Sequence, residues 1–145
     1  MDNISVTSQQ TLWKLIKILS LVGVVLASYL LASYLKPQTA DVCRIDETVN
    51  CNAVTQGSLA TVLGIPVSLV GLVGYLIILS SSLAKKKGLV LFMAAFGTLF
   101  CLRITYLELL VVKIICPVCL ACQLIMLTVL ALAFFLSFGR KANKK

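Results

Sequence analysis

Four long apolar stretches, separated by short polar or basic segments, organise the chain. From Leu15 to Leu35 only Lys17 and scattered Ser and Tyr interrupt the apolar run, which matches the roughly 20 residues a helix needs to cross a bilayer. A cleaved signal peptide is the competing reading, with Lys14 and Lys17 as its basic region, but the run continues through Tyr34 without a break and reads as a span over 13–35. Residues 1–12 are polar without a packing pattern and are expected to form a short tail. Asn50 to Leu63 is moderately amphipathic, with Val54, Leu59, Val62 and Leu63 set among Asn52, Thr55, Gln56 and Ser58, and predicts a short interfacial helix. Gly64-Ile65-Pro66 breaks that pattern, and Pro66 opens a second span over 66–84, in which Gly71 and Gly74 would let a neighbouring helix approach closely. A basic turn at 85–88, a third span over 89–115, a fourth over 116–138 and a basic tail at 139–145 complete the chain. The prediction is an all-α membrane protein, one domain over 1–145, built as a four-transmembrane-helix bundle with an outer loop and interfacial helix at 36–65.

Composition supports the membrane and decides the orientation. A mean hydropathy of +1.04, with 60% hydrophobic and 12% charged residues, is far from a soluble domain, where about a quarter of residues are charged. The net charge of +8 would suit nucleic acid, but the basic residues fall at the ends of apolar runs rather than on one aromatic-laced face. Lys14, Lys17, Lys85 to Lys87, Arg140, Lys141, Lys144 and Lys145 would share one side, against Lys36, Arg44 and Lys113 on the other. By the positive-inside rule both termini and the lysine turn are expected in the cytoplasm of an inner or plasma membrane, with the 36–65 loop and the start of the fourth span outside. Histidine is absent, which removes the commonest general base and any mixed Cys/His zinc site, so no metal centre is expected.

The chemistry therefore falls to six cysteines. In Cys116-Pro117-Val118-Cys119, proline fits the first turn of a helix and makes Cys116 the N-cap. There its sulfur faces free N–H groups and the positive end of the helix dipole, which favours thiolate. Cys119 lies about 300° round the helix, on nearly the same face, close enough for a reversible disulfide. Two small buried cysteines at a membrane edge are the bland alternative. Cys43 and Cys51 lie in the polar loop, which also holds Asp41, Asp46 and Glu47. The hydrophilic segment between them can bend back to join the sulfurs, and a structural disulfide or a catalytic pair reads equally well. On the outer side either pair would meet oxidising conditions.

Polar residues within the spans are candidates for ligand contacts. Arg103 falls past mid-membrane and Glu108 near the outer interface; five residues apart, they sit about 140° round the helix and cannot share one partner. Arg103 either snorkels or lies near a bound ligand, and Tyr106 is an interfacial belt residue or a hydrogen-bond donor. Gln123, one turn below Cys119, either bonds another helix or reaches an acceptor's carbonyl. Cys101 and Cys122 read as small packing residues.

Together these features resemble the vitamin K epoxide reductase family in its bacterial form. The resemblance rests on Cys43 and Cys51, on Cys51-Asn52-Ala53-Val54 followed by Gly64-Ile65-Pro66-Val67-Ser68-Leu69-Val70-Gly71, on Tyr106-Leu107-Glu108 and on Cys116-Pro117-Val118-Cys119. It implies a four-helix bundle holding a quinone of the ubiquinone, menaquinone or vitamin K type near the outer end. It also implies a relay in which Cys43 exchanges with a thioredoxin-fold partner, Cys51 passes electrons to Cys116, and Cys119 reduces the quinone. The family usually has a serine six residues after the second loop cysteine, where this chain has Gly57 with Ser58 next to it, so Ser58 is the candidate there. Many relatives have an aromatic residue at the position of Val118. Some bacterial members continue into a fifth span and a fused thioredoxin domain; here the chain reads only to Lys145, and the expected partner is a separate protein.

The expectation is a membrane thiol:quinone oxidoreductase that reoxidises an extracytoplasmic thioredoxin-fold protein and so drives disulfide formation. Its candidate site comprises Cys43, Cys51, Cys116 and Cys119 as catalytic residues, with Ser58, Arg103, Tyr106 and Gln123 toward the quinone. Vitamin K epoxide reduction would use the same wiring. A soft-metal transporter would need cysteine pairs on both membrane faces, whereas none falls in an expected cytoplasmic segment. A structural protein with an external disulfide leaves the Cys-Pro-Val-Cys motif and the Gly-Ile-Pro turn without a purpose.

Overall fold

The computed structural model describes residues 2–36, 46, 57, 61–113 and 115–138. Cys43, Cys51, Ser58, most of the expected interfacial helix and the 139–145 tail lie outside the described residues. Four helices form the fold: α1 (Asp2–Leu35), α2 (Val67–Leu83), α3 (Lys87–Leu107) and α4 (Pro117–Phe138). A two-stranded hairpin of β1 (Thr61–Val62) and β2 (Ile65–Pro66) precedes α2, and a π-helical turn (Glu108–Val112) extends α3.

Thr7–Leu35, Lys87–Val111 and Pro117–Phe138 are each long and apolar enough to cross a membrane, and Val67–Leu83 is a shorter apolar helix of 17 residues. At 1.5 Å per residue that helix runs about 25 Å, at the short end of what spans a hydrocarbon core. The expected four-helix bundle is therefore the observed one. α1 packs against α2 and α4, and α3 against α2 and α4, so the helices close into a ring in chain order. Trp13, Ile16, Tyr75, Ile78, Val90, Met126 and Val129 fill its interior. Ile18, Val25, Phe92, Leu99, Leu124 and Phe135 point outward, the apolar exterior that a helix bundle presents to lipid tails. The protein is a membrane protein, and its surroundings are a lipid bilayer.

The structure departs from the sequence expectations in three places. Residues 2–12 continue α1 rather than forming an irregular tail, because no glycine or proline interrupts the chain before Gly23. The expected interfacial helix does not reach Leu63. Instead Thr61 pairs with Pro66 and Val62 with Ile65, around a two-residue turn in which Leu63 (φ 55°) and Gly64 (φ 82°) both take positive φ, as tight hairpin turns of the I′ kind require. The third span stops being α-helical at Leu107. Its last turn is π-helical and ends at Lys113, left-handed at φ 56°, whose N–H bonds the Glu108 carbonyl.

Close helix contact also falls elsewhere than expected. A Cβ at Gly71 or Gly74 would meet nothing within 4 Å, whereas one at Gly23 would collide with the Tyr75 ring and one at Gly97 would come within 2.8 Å of the Met126 Cε. At the end of the bundle away from the hairpin, the Lys87 Nζ donates to the Leu136 carbonyl across 3.3 Å, clasping α3 to α4.

Candidate functional site

Pro117 opens α4, leaving Cys116 as its N-cap, and the Leu120 N–H bonds the Cys116 carbonyl at 3.1 Å as the first helical bond. The Cys119 backbone N–H donates to the Cys116 Sγ at 3.4 Å, so the sulfur takes the place usually filled by a capping serine or aspartate oxygen. Cys116 is fully buried, packed with Leu30 of α1 against Val118 and Cys119. Its pKa is nevertheless pulled below the ordinary cysteine value, first by the Cys119 thiol and then by the Cys119 and Val118 backbone N–H groups, against the opposing effects of burial and Glu108. Cys116 and Cys119 are free thiols, so this is the reduced form of the pair.

Beside the pair lies a cavity of about 350 Å³ at the hairpin end of the bundle. Leu30 and Tyr34 from α1, Ser68 and Gly74 from α2, Phe100 and Thr105 from α3, and Met126 from α4 contribute to its wall. Cys119 lines it and Cys116 does not. One cysteine therefore faces the cavity while its mate caps the helix behind it. Cys101 and Cys122, expected only to pack, also line the cavity. The Tyr75 hydroxyl, in the same wall, donates to the Cys122 carbonyl at 2.9 Å.

The other expected ligand contacts fall outside this wall. The cavity stripe of α4 runs Cys119, Cys122, Met126 rather than Cys116, Cys119, Gln123. Gln123 is instead buried at 6% exposure, with neither amide atom hydrogen-bonded among the described residues. On α3 the cavity stripe runs Met93, Gly97, Cys101 and Ile104, which turns Arg103 and Tyr106 to the exposed side.

A residue given no role in the sequence reading stands at the centre of the site. Glu108, 2% exposed, brings its carboxyl group against the Cys119 side chain and the Cys116 backbone N–H. Its Oε1 has no hydrogen-bond partner among the described residues. The signal was present in the sequence: Val90, Ala94, Thr98, Ile104 and Glu108 fall on one helical stripe, and every member is buried.

A bundle with a reduced Cys-x-x-Cys pair at a helix cap, one sulfur facing an apolar cavity, agrees with the comparison to known families. The model of the vitamin K epoxide reductase family matches residues 14–134. The chain belongs to that family. No curated protein matches it significantly. Vitamin K epoxide reductase family proteins are quinone-linked membrane oxidoreductases, and the function class of this member is redox chemistry on disulfides or quinones.

Proposed function

We propose that the protein is a thiol:quinone oxidoreductase, taking electrons from a thioredoxin-fold partner outside the cytoplasm through Cys43 and Cys51 and passing them through Cys116 and Cys119 to a quinone. The observation that carries this reading is the division of labour within one helical turn: Cys119 lines the apolar cavity while Cys116 is capped behind it.

Cavity size and wall suit a quinone ring. Small-molecule sites range over about 300–1,000 Å³ and combine apolar walls with a few polar groups. Here Tyr34, Phe100 and Met126 supply the apolar contacts, and Ser68 and Thr105 carry hydroxyls. Bound there, a quinone would serve as a two-electron, two-proton acceptor. The chain's own residues do the rest. Cys116, held as thiolate more readily than a free cysteine, is a good leaving group when an incoming thiol reduces the pair and a good nucleophile when the pair closes again. The apolar wall keeps water from the Cys119 sulfur. Overall, a dithiol becomes a disulfide and the quinone becomes a quinol. Epoxide reduction would use the same two cysteines in the same order.

The test is quinone absorbance in detergent with a reduced thioredoxin-fold protein as donor. Thiol-dependent quinol formation that disappears in Cys119→Ala supports the reading. No reduction of any quinone, together with tight soft-metal binding by the cysteines, would sink it in favour of a transporter.

A further inference from the structure

Glu108 is a carboxyl group enclosed in a membrane bundle, and such a group normally carries a function. Its neighbours make that function specific. The titratable groups facing it among the described residues are Cys119 and Cys116 from α4 and Cys101 from α3. No basic side chain is among the groups acting on it, so the carboxyl is not half of an ion pair. It lies against the Cys119 thiol and also contacts the Cys116 backbone N–H, leaving Oε1 unpartnered. Two acids in contact in a low-dielectric site resist carrying two negative charges, and such a pair holds one proton in common.

We propose that Glu108 stores the Cys119 proton between the two halves of the catalytic cycle. This rests on the thiol:quinone reading above. When an incoming thiolate attacks the Cys116 Sγ of the closed Cys116–Cys119 disulfide, the S–S bond breaks and its electron pair goes to the Cys119 Sγ. The protonated Glu108 carboxyl then delivers its proton there, leaving a Cys119 thiol and a Glu108 carboxylate. The donor's second thiol releases its proton to water and displaces Cys116 as thiolate, which completes the donor's disulfide. On reoxidation the Cys116–Cys119 bond re-forms, the Cys119 proton returns to Glu108, and two electrons leave to a quinone whose two protons come from water. Charge and protons balance over the cycle, and the buried pair never carries two negative charges. Glu108 does not line the cavity, so it serves the sulfur rather than the acceptor.

The experiment is an infrared difference spectrum, oxidised minus reduced, of the full chain in detergent with dithiothreitol as reductant and no quinone present. The wild type should show a carboxylic-acid band with the disulfide closed that is lost on reduction. Glu108→Gln should lack the band and open the disulfide about 100-fold more slowly, in the range general acid catalysis contributes. Glu108→Asp should restore the band and part of the rate. A wild-type spectrum without a redox-linked carboxyl band overturns the proposal even if the glutamine variant fails to fold, and so does a band that persists in Glu108→Gln or a pair that never closes. Failure of the oxidoreductase reading would appear separately, as a carboxyl signal that persists while no quinone is reduced in the absorbance assay.

Discussion

The Tyr75 hydroxyl reaches across the bundle to the Cys122 carbonyl, 2.9 Å away, and its ring lies where a side chain at position 23 would otherwise stand. One residue of α2 thus fixes the distance to both α1 and α4 beside the cavity. Tyr75→Phe keeps the ring and loses the bond. The expected cost is about 0.5–1.5 kcal/mol of stability, read by denaturant unfolding in detergent, with a higher KM for quinone as the cavity wall loosens.

Glycine replacements should separate close packing from open space. An alanine gains up to about 1 kcal/mol over glycine in a helix, but at position 23 it collides with Tyr75, and overpacking costs about 1–3 kcal/mol. Gly23→Ala should therefore lower the unfolding midpoint. Gly71→Ala meets no neighbour within 4 Å and should leave the midpoint level or raise it.

Gly74 tests the cavity itself. Because a Cβ there enters open space in the wall, Gly74→Leu should fill part of the volume without breaking helix contacts. Quinone KM is expected to rise about tenfold, the equivalent of about 1.4 kcal/mol of binding. A normal KM would place the acceptor elsewhere.

Cys116 should give a pH signature of defined sign. Its folded pKa lies below the ordinary value, which for a cysteine is about 8.5. The stability it contributes is therefore complete above that ordinary value and is lost as pH falls toward the depressed one. Thiolate reactivity should persist across the same window, measured as the rate of exchange with a small disulfide against pH. Cys119→Ala removes the largest cause of the depression and should move the profile toward higher pH.

Much of this arrangement was legible before the coordinates. Uninterrupted apolar runs placed the four helices, Pro66 and Pro117 placed the starts of α2 and α4, and a cysteine before proline announced the capped sulfur. Glu108 was misjudged for a physical reason. Its distance along the helix located it near an interface, where a carboxylate is ordinarily solvated, and only its place on a buried stripe argued otherwise. Cavity membership was less accessible still. Cys101 and Cys122 belong to different helices, and their convergence depends on how α3 and α4 are rotated against each other, which side-chain periodicity leaves open. The hairpin at Leu63-Gly64 was hidden because apolar residues spaced for an amphipathic helix also occur in a short strand.

The π-helical turn after Leu107 gives the connector a measured length. A π turn holds one residue more than the α-helical turn it replaces, so Glu108–Val112 carries a surplus residue between the carboxyl and the capped cysteine. Deleting one residue there would let the turn relax into α-helix and rotate everything beyond it by about 100°. Chain length in this segment therefore acts as a gauge: the site tolerates changes of side chain at the exposed Leu109 and Leu110 far better than any change in residue count.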